Sequence, residues 1–477
     1  MQGTWATSAG LDLHLEVAGS RVRAGLESAL RDAVRSGRLP AGTALPSSRA
    51  LARDLGVARN TVVDAYGQLV AEGWLAARHG SGTWVAERVE PPEASPAAQP
   101  ADAGRAVRHD LRPGAPDVAV FPRAAWLAAA RRALASAPAA ELSYADPRGL
   151  PELREALAGY LARARGVSVA PERVIVCAGY AEGLDLLCRT LRARGATEIA
   201  VESFGFSIHW QIAAAAGLRL RPLAVDGRGA VTSALADERA AVLTPAHQFP
   251  LGVALHPQRR REVVEWAAGR DALVIEDDYD GEFRYDRQAI GALQSLAPEH
   301  VAYAGTASKS LAPGLRLGWL VLPGRLVDDV VAVKRAAGRL SSSIDQLTLA
   351  ELIVSGGYDR QIRRARLGYR QRRDRLVSEL ARRAPRAGVT GIAAGLHALV
   401  SLPGGLTEQE VVTEAAKRGL ALQGLADFRL GPQEHEPALV VGYATPPGHA
   451  FTTALARLCA VLQGAVRGSL PTPGATF

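Results

Sequence analysis

Of the 56 basic residues in this chain only Lys309, Lys334 and Lys417 are lysines. Lys309 lies in HVAYAGTASKSLAPGLRLGW, where an apolar run delivers Thr306, Ala307 and Ser308, then the amine, with Arg316 seven residues further on. A primary amine can capture an aldehyde, and hydroxyls with a guanidinium can hold a phosphate. A second apolar run, ALVIEDDYDGEF, ends in carboxylates. Of these, Asp277 is suited to keep a pyridine nitrogen protonated, and Tyr279 to reach a ring hydroxyl. Amine, phosphate clamp and ring acid are together the needs of pyridoxal 5'-phosphate (PLP). In RVIVCAGYAEG, Tyr180 and Ala181 follow a strand and open a helix, whose free amides suit an anion. Phe206, in VESFGFS, can stack on the ring face.

Such residues need a scaffold of strand ends. Short apolar runs (RVIVCAGY, TEIAVES, AAVLTPAHQ, ALVIEDDYD, HVAYAGTAS) alternate with amphipathic stretches, which predicts βα units around a mostly parallel sheet. From about Arg325 a long helix and a smaller α+β subdomain are expected. The expected sensor-like domain spans 110–465, with a large subdomain at about 145–325 and a small one at about 326–465. Before it, ERVEPPEASPAAQPADAGRAVRH (87–109) has neither helical nor strand period and is expected to be a linker.

Residues 11–86 form a separate unit. A helix is expected where Val22, Leu26, Leu30 and Val34 recur every four residues. In LPSSRALARDLGVARNTVVDAYGQLVAEGWLAARHGSGTWV, Ser47 or Ser48 can cap a helix, Gly56 supplies a turn, and a second helix begins near Ala58. That is a helix-turn-helix plan, which puts Arg49, Arg59, Asn60, Thr61 and Tyr66 toward a duplex. The Gly-Ser-Gly turn of a following hairpin offers His79, Gly80 and Ser81 to its phosphates.

Composition sets outer limits. With 48% hydrophobic and 22% charged residues the chain is globular rather than disordered or fibrous. Three cysteines without paired spacing argue against a disulfide framework or a zinc site, so no metal is expected. No secretory leader or membrane span is apparent, and a cytoplasmic protein is expected. The net charge of +8 is unevenly placed: residues 1–90 hold ten arginines against nine acidic residues, and 360–386 hold eleven against two. The arginine-rich stretch reads as a solvated or interface face rather than a second DNA contact.

Leu39 to Val85 resembles the winged helix-turn-helix of the GntR family in its ordered PSSR, LA, LGV, RNTV, AY, EG and GSGT. From about Asp110 to Ala450 the chain resembles fold type I aminotransferases, through LRPGAPDVAVFPRAAW, YADPRGLPELREALAGYLARARGV, LTPAHQFPLG, EDDYDGEFRY and GTASKSLAPGLRLGW. The combination resembles the MocR/GabR regulators, including their vitamin B6-regulating branch. It implies PLP on Lys309 contacted by Asp277, Tyr279, Thr306, Ser308 and Arg316. It also implies a double-stranded DNA operator and a homodimer, domain-swapped head to tail. Two departures matter. Val440 and Ile208 stand where the family's amino-acid-binding members carry arginines, and the NPTG motif reads Phe249-Pro250-Leu251-Gly252, which leaves His247 or Gln248 to replace its asparagine at the ring oxygen. Without a carboxylate clamp, sensing is favoured over turnover and PLP over an amino compound as effector. In the competing reading, an active aminotransferase carrying a DNA-binding module, Lys309 would be the catalytic base.

Overall fold

The computed structural model describes residues 6–8, 11–13, 22–78, 82–87, 108–144, 146–285 and 290–468. The chain divides into two compact units, Met1–Ala103 and Gly104–Phe477. Almost all of the expected linker lies outside the described residues, as do His79, Gly80 and Ser81 of the expected wing.

The first unit packs three helices, Val22–Arg35, Ser48–Leu55 and Arg59–Ala71, against an antiparallel hairpin of Leu75–Arg78 and Gly82–Val85. Leu26, Leu30, Leu51, Val62, Ala65 and Leu69 are buried in its core. Val22, expected on the same buried stripe, is 41% exposed, because the stripe starts one turn later at Leu26 and takes in Ala33.

The second unit is built on a seven-stranded sheet. Across the sheet the order is Val174–Cys177, Gly318–Val321, Val301–Thr306, Leu273–Asp277, Ala240–Leu243, Glu198–Glu202 and Arg219–Leu223. Only Gly318–Val321 pairs antiparallel with its neighbours. The central strands are buried along their length, as a parallel sheet covered on both faces requires. Ligand sites in such sheets lie beyond the carboxyl ends of the strands, and Asp277 and Thr306 are the last residues of adjacent parallel strands. A 27-residue helix, Gly357–Arg383, leads to a three-stranded antiparallel sheet (Val389–Thr390, Ala398–Ser401, Ala438–Val441). Its core packs against helices Glu408–Lys417 and Gly448–Gly468. No helix among the described residues is long and apolar enough to cross a membrane.

Candidate cofactor pocket and nucleic-acid interface

In the first unit local chemistry fixes how the second helix is met by the third. Ser47 Oγ accepts from the Ala50 amide at 3.2 Å, capping Ser48–Leu55. That helix ends at Gly56, whose left-handed φ of 67° lets its amide reach the Ala52 and Arg53 carbonyls. Three residues later Arg59 opens the next helix. Arg49, Arg59 and Asn60 are exposed and Thr61 is half-buried. The opposite face buries Val62, Ala65, Tyr66 and Leu69, which turns the first-turn residues outward. Tyr66 departs from the expectation of a DNA contact. Its side chain is buried and its hydroxyl donates to the Pro46 carbonyl at 3.0 Å, so it holds the segment that carries the Ser47 cap. Arg31 bridges the first and third helices through two bonds to Glu72, at 2.8 and 2.9 Å. Those bonds, with Gln68, pull the Glu72 carboxyl down to about 2.

In the second unit a cavity of about 260 Å³ opens at the strand ends. Tyr180, Ala181, Phe206, Asp277, Tyr279, Thr306, Ser308, Lys309 and Arg316 all line it. The run Glu276 to Asp280 shows why only one of four carboxylates serves the cavity. Side chains alternate across a strand, so Asp277 and Tyr279 face it while Glu276 and Asp278 face away. Glu276 accepts from the amides of Leu293 and Gln294 at 2.7 and 2.8 Å. Asp278 pairs with buried Arg165 at 2.6 Å and accepts from the Tyr303 hydroxyl at 2.7 Å. Asp277 has no such partner: its Oδ1 is buried with no hydrogen bond, as is the Tyr180 hydroxyl. Burial, with the charge of Asp278 added, holds the Asp277 carboxyl well above the usual range.

Lys309 donates to the Gly114 carbonyl. Burial lowers its affinity for a proton, against the opposing pull of Asp277 and Asp280. Thr306 Oγ1 donates to Ser308 Oγ at 2.9 Å and accepts from the Ser308 amide at 3.1 Å. Arg316 adopts a left-handed φ of 51°. Its guanidinium lies over Gly179, where a Cβ would come within 3.3 Å of Nη1. Gly179 itself has φ +87°, so the backbone favours glycine there and a side chain would press on the guanidinium, directly before the helix Tyr180–Ala193. Phe206 stacks on Phe249 with ring centroids 4.0 Å apart.

His247 is the exception among the expected cofactor contacts. It does not line the cavity but stands behind Tyr279, its Nδ1 lying 3.1 Å from the Tyr279 hydroxyl and 2.8 Å from Asp280 Oδ2. Gln248 is tied up in the turn, donating to the Phe204 carbonyl at 3.0 Å and accepting from the Leu251 amide at 3.1 Å. His247, Asp280 and His397 bring one ligand atom each within 4.8 Å of one another. Hydrogen bonds account for all three, since His397 Nε2 is 3.2 Å from the Pro250 carbonyl.

Sequence reasoning missed His209, Trp210, Glu202 and Thr244 in the lining. His209 packs edge-on to Tyr180 with centroids 4.7 Å apart, and burial with the Lys309 charge lowers it to about 4. Its signal was its place three residues after Phe206, one helical turn on. Glu202 ends a parallel strand and Thr244 follows another, positions that the strand-end rule marks. Burial lifts Glu202 to about 7 although Thr244 Oγ1 donates to it at 2.5 Å. Val440 is fully buried in a cluster with Phe204, Phe249 and Phe428, and Ile208 is 53% exposed. Arg316 is the only guanidinium among the lining residues.

The unsatisfied Asp277 Oδ1, the free guanidinium beside a helix N-terminus and the amine fit PLP's ring nitrogen, phosphate and aldehyde. Residues 111–434 match the family of class I and II aminotransferases, and residues 23–85 match the bacterial regulatory proteins of the gntR family. The chain is 36% identical to the HTH-type pyridoxine biosynthesis transcriptional regulator PdxR of Corynebacterium glutamicum, over 84% of this chain and 88% of that protein. It is 35% identical to the probable rhizopine catabolism regulatory protein MocR of Rhizobium meliloti, over 73% and 75% respectively. An archaeal alanine:glyoxylate aminotransferase shares the fold with a TM-score of 0.69 at 24% identity, over 76% of this chain and 92% of that one.

Proposed function

This chain belongs to the gntR-type transcriptional regulators that carry an aminotransferase-like domain, of the MocR and PdxR kind, and from that premise we propose that its second unit binds PLP and that PLP is its effector. Lys309 holds the aldehyde carbon, Asp277 the ring nitrogen and Tyr279 the ring oxygen. Thr306, Ser308, Arg316 and the amides at Tyr180 and Ala181 take the phosphate, while Phe206 covers the ring. When bound, PLP supplies an electron-withdrawing ring; burial keeps the Lys309 amine ready to attach it.

The observation that carries PLP as effector is the single lining guanidinium. Arg316 is committed to the phosphate by its place over Gly179, which leaves no second fork for a substrate carboxylate. The name of the C. glutamicum relative, a regulator of pyridoxine biosynthesis, supports the same ligand. The protein acts in the cytoplasm as a homodimer with exchanged reader units. Exposed Leu127, Leu134 and Val354, on helices that pack together, support a mate for that face. Occupancy of the cavity shifts the balance between two arrangements of the DNA-binding units by its differential affinity for them.

The test is the visible absorption band of lysine-bound PLP in the purified protein and in Lys309→Ala, together with affinity for its own upstream DNA with and without PLP. A lysine-dependent band with PLP-dependent affinity is expected. A band with PLP-independent affinity would remove PLP as effector, and the absence of any band would remove the cofactor. Loss of the band on adding an amino donor, with release of its 2-oxo acid, would favour an active aminotransferase.

A further inference from the structure

The helix Gly357–Arg383 contains charge that the regulator reading has not used. Its stretch 360–386 has eleven arginines and two acidic residues, a balance of +9 that exceeds the +8 of the whole chain. The structure sorts these arginines into two sets. Arg372 is committed to the fold: it pairs with buried Asp117 at 2.6 Å and donates to the Ala444 and Pro446 carbonyls at 3.2 and 2.8 Å. Arg366 donates to the Glu282 carbonyl at 2.8 Å, and Arg382 and Arg383 share Glu379. Arg370 pairs with Asp374 at 3.7 Å, Arg373 is half-buried and Arg386 lies past the end of the helix, which leaves Arg360, Arg363, Arg364 and Arg375 as the other set. All four are exposed and make no ion pair or hydrogen bond with the described residues.

These four are not scattered around the helix. At about 100° per residue they fall within a sector of about 120°, and they span about 22 Å of axis. Gln371 and Leu367, the latter 62% exposed, lie in the same sector, and its one acidic side chain, Asp374, faces Arg370 at 3.7 Å. Arg360 has like-charged neighbours three and four residues on, an arrangement that opposes the helix unless an external anion relieves it. The span matches about six to seven base pairs of one duplex strand.

The partner follows from where charge is missing. Residues 1–90 hold ten arginines against nine acidic residues, and Arg23, Arg31 and Arg35 there are paired with Glu27, Glu72 and Asp32. Affinity for DNA rests on cations that displace counterions from phosphates; among the described residues the DNA-binding unit offers Arg49, Arg53, Arg59 and Arg78 without an ion pair, and a second set of four would double that number. We propose that the stripe of Arg360, Arg363, Arg364 and Arg375 binds the phosphate backbone of double-stranded DNA, as a second contact supplied by the aminotransferase-like unit. The proposal departs from the sequence expectation of a solvated or interface face, and what carries it is that these charges are unpaired and share one sector. It rests on the reading of the chain as a DNA-binding regulator.

The experiment uses the full-length PLP-loaded protein and two duplexes of about 60 base pairs, long enough for several helical turns. One carries the region upstream of the protein's own coding sequence and the other is a scrambled version. Salt dependence of binding is measured for the wild type and for the quadruple variant Arg360→Gln, Arg363→Gln, Arg364→Gln, Arg375→Gln. Each lost phosphate contact reduces the log–log slope by about 0.9, so a slope lower by about 2 to 4 is expected, with at least tenfold weaker binding to both duplexes near physiological salt. A quadruple Arg→Lys variant should restore the slope. An unchanged slope overturns the proposal, and so does a variant whose weaker binding accompanies a halved mass in solution, which would make the stripe a contact between copies. Failure of the wild type to bind either duplex would instead defeat the regulator reading itself.

Discussion

The two units present their functional groups in opposite ways. In the DNA-binding unit Arg49, Arg59 and Asn60 project into solvent from the ends of short helices, while the buried side of those two helices is apolar apart from Tyr66, which is tied to a carbonyl. In the aminotransferase-like unit Asp277, Tyr180, Tyr279 and Lys309 stand inside a cavity, and burial shifts the proton affinity of each. A groove-reading surface stays hydrated until DNA arrives, whereas a pocket for one small molecule holds desolvated groups that only that molecule satisfies. The first unit therefore has little stored against its ligand, and the second has much.

The sharpest way to break this contrast is Asp277→Asn. Removing one partner of a buried charge-assisted pair costs about 3–5 kcal/mol, so PLP affinity measured by equilibrium dialysis should fall at least 100-fold. DNA affinity of the PLP-free protein should not change. Equal loss of both would mean that the two units do not store their ligand energy separately.

Titration offers a second handle, because one carboxyl in each unit responds to pH with opposite sign. Glu202 rises from 4.5 to about 7 on burial, so the folded chain retains a proton that the unfolded chain gives up. Its contribution is intact below the unfolded value and is lost as pH rises toward 7. The stability of the wild type relative to Glu202→Gln, from urea unfolding, should therefore fall by up to about 3 kcal/mol across that window. Glu72 in the DNA-binding unit is shifted the other way, to about 2, and its contribution is lost as pH falls below the usual carboxylate range. A Glu202→Gln difference that is flat with pH would contradict the buried, protonated state of that carboxyl.

Smaller effects refine the DNA-binding side. Arg59→Ala should weaken operator binding by about 1–3 kcal/mol in fluorescence anisotropy, leaving the PLP absorption band intact. Ser47→Ala removes the cap of Ser48–Leu55 and should cost this unit about 1 kcal/mol in its own thermal transition. A shift of the larger unit's transition instead would show that the two unfold together.

Much of this was legible in the residues. Strand ends are readable because an apolar run stops at its functional residue, as at Asp277 and Thr306, and nine of the ten expected cofactor residues line one cavity. His247 was misplaced because reach across a turn depends on side-chain direction, and its ring is turned toward Asp280 behind Tyr279. Tyr66 was misjudged because a helix position one turn past the exposed first turn falls on the core side. Glu202, Thr244 and His209 were overlooked because they belong to elements distant in sequence from the lysine motif, and only the sheet order brings them together.

The close approach of Arg316 to Gly179 also bears on how such a regulator can change over generations. A single base change that puts any side chain at 179 must displace the guanidinium and strain a backbone at φ +87°, while leaving the DNA-binding unit untouched. Under the PLP response proposed above, an allele of that kind would keep its DNA-reading residues but lose its grip on the phosphate, fixing transcription at one setting.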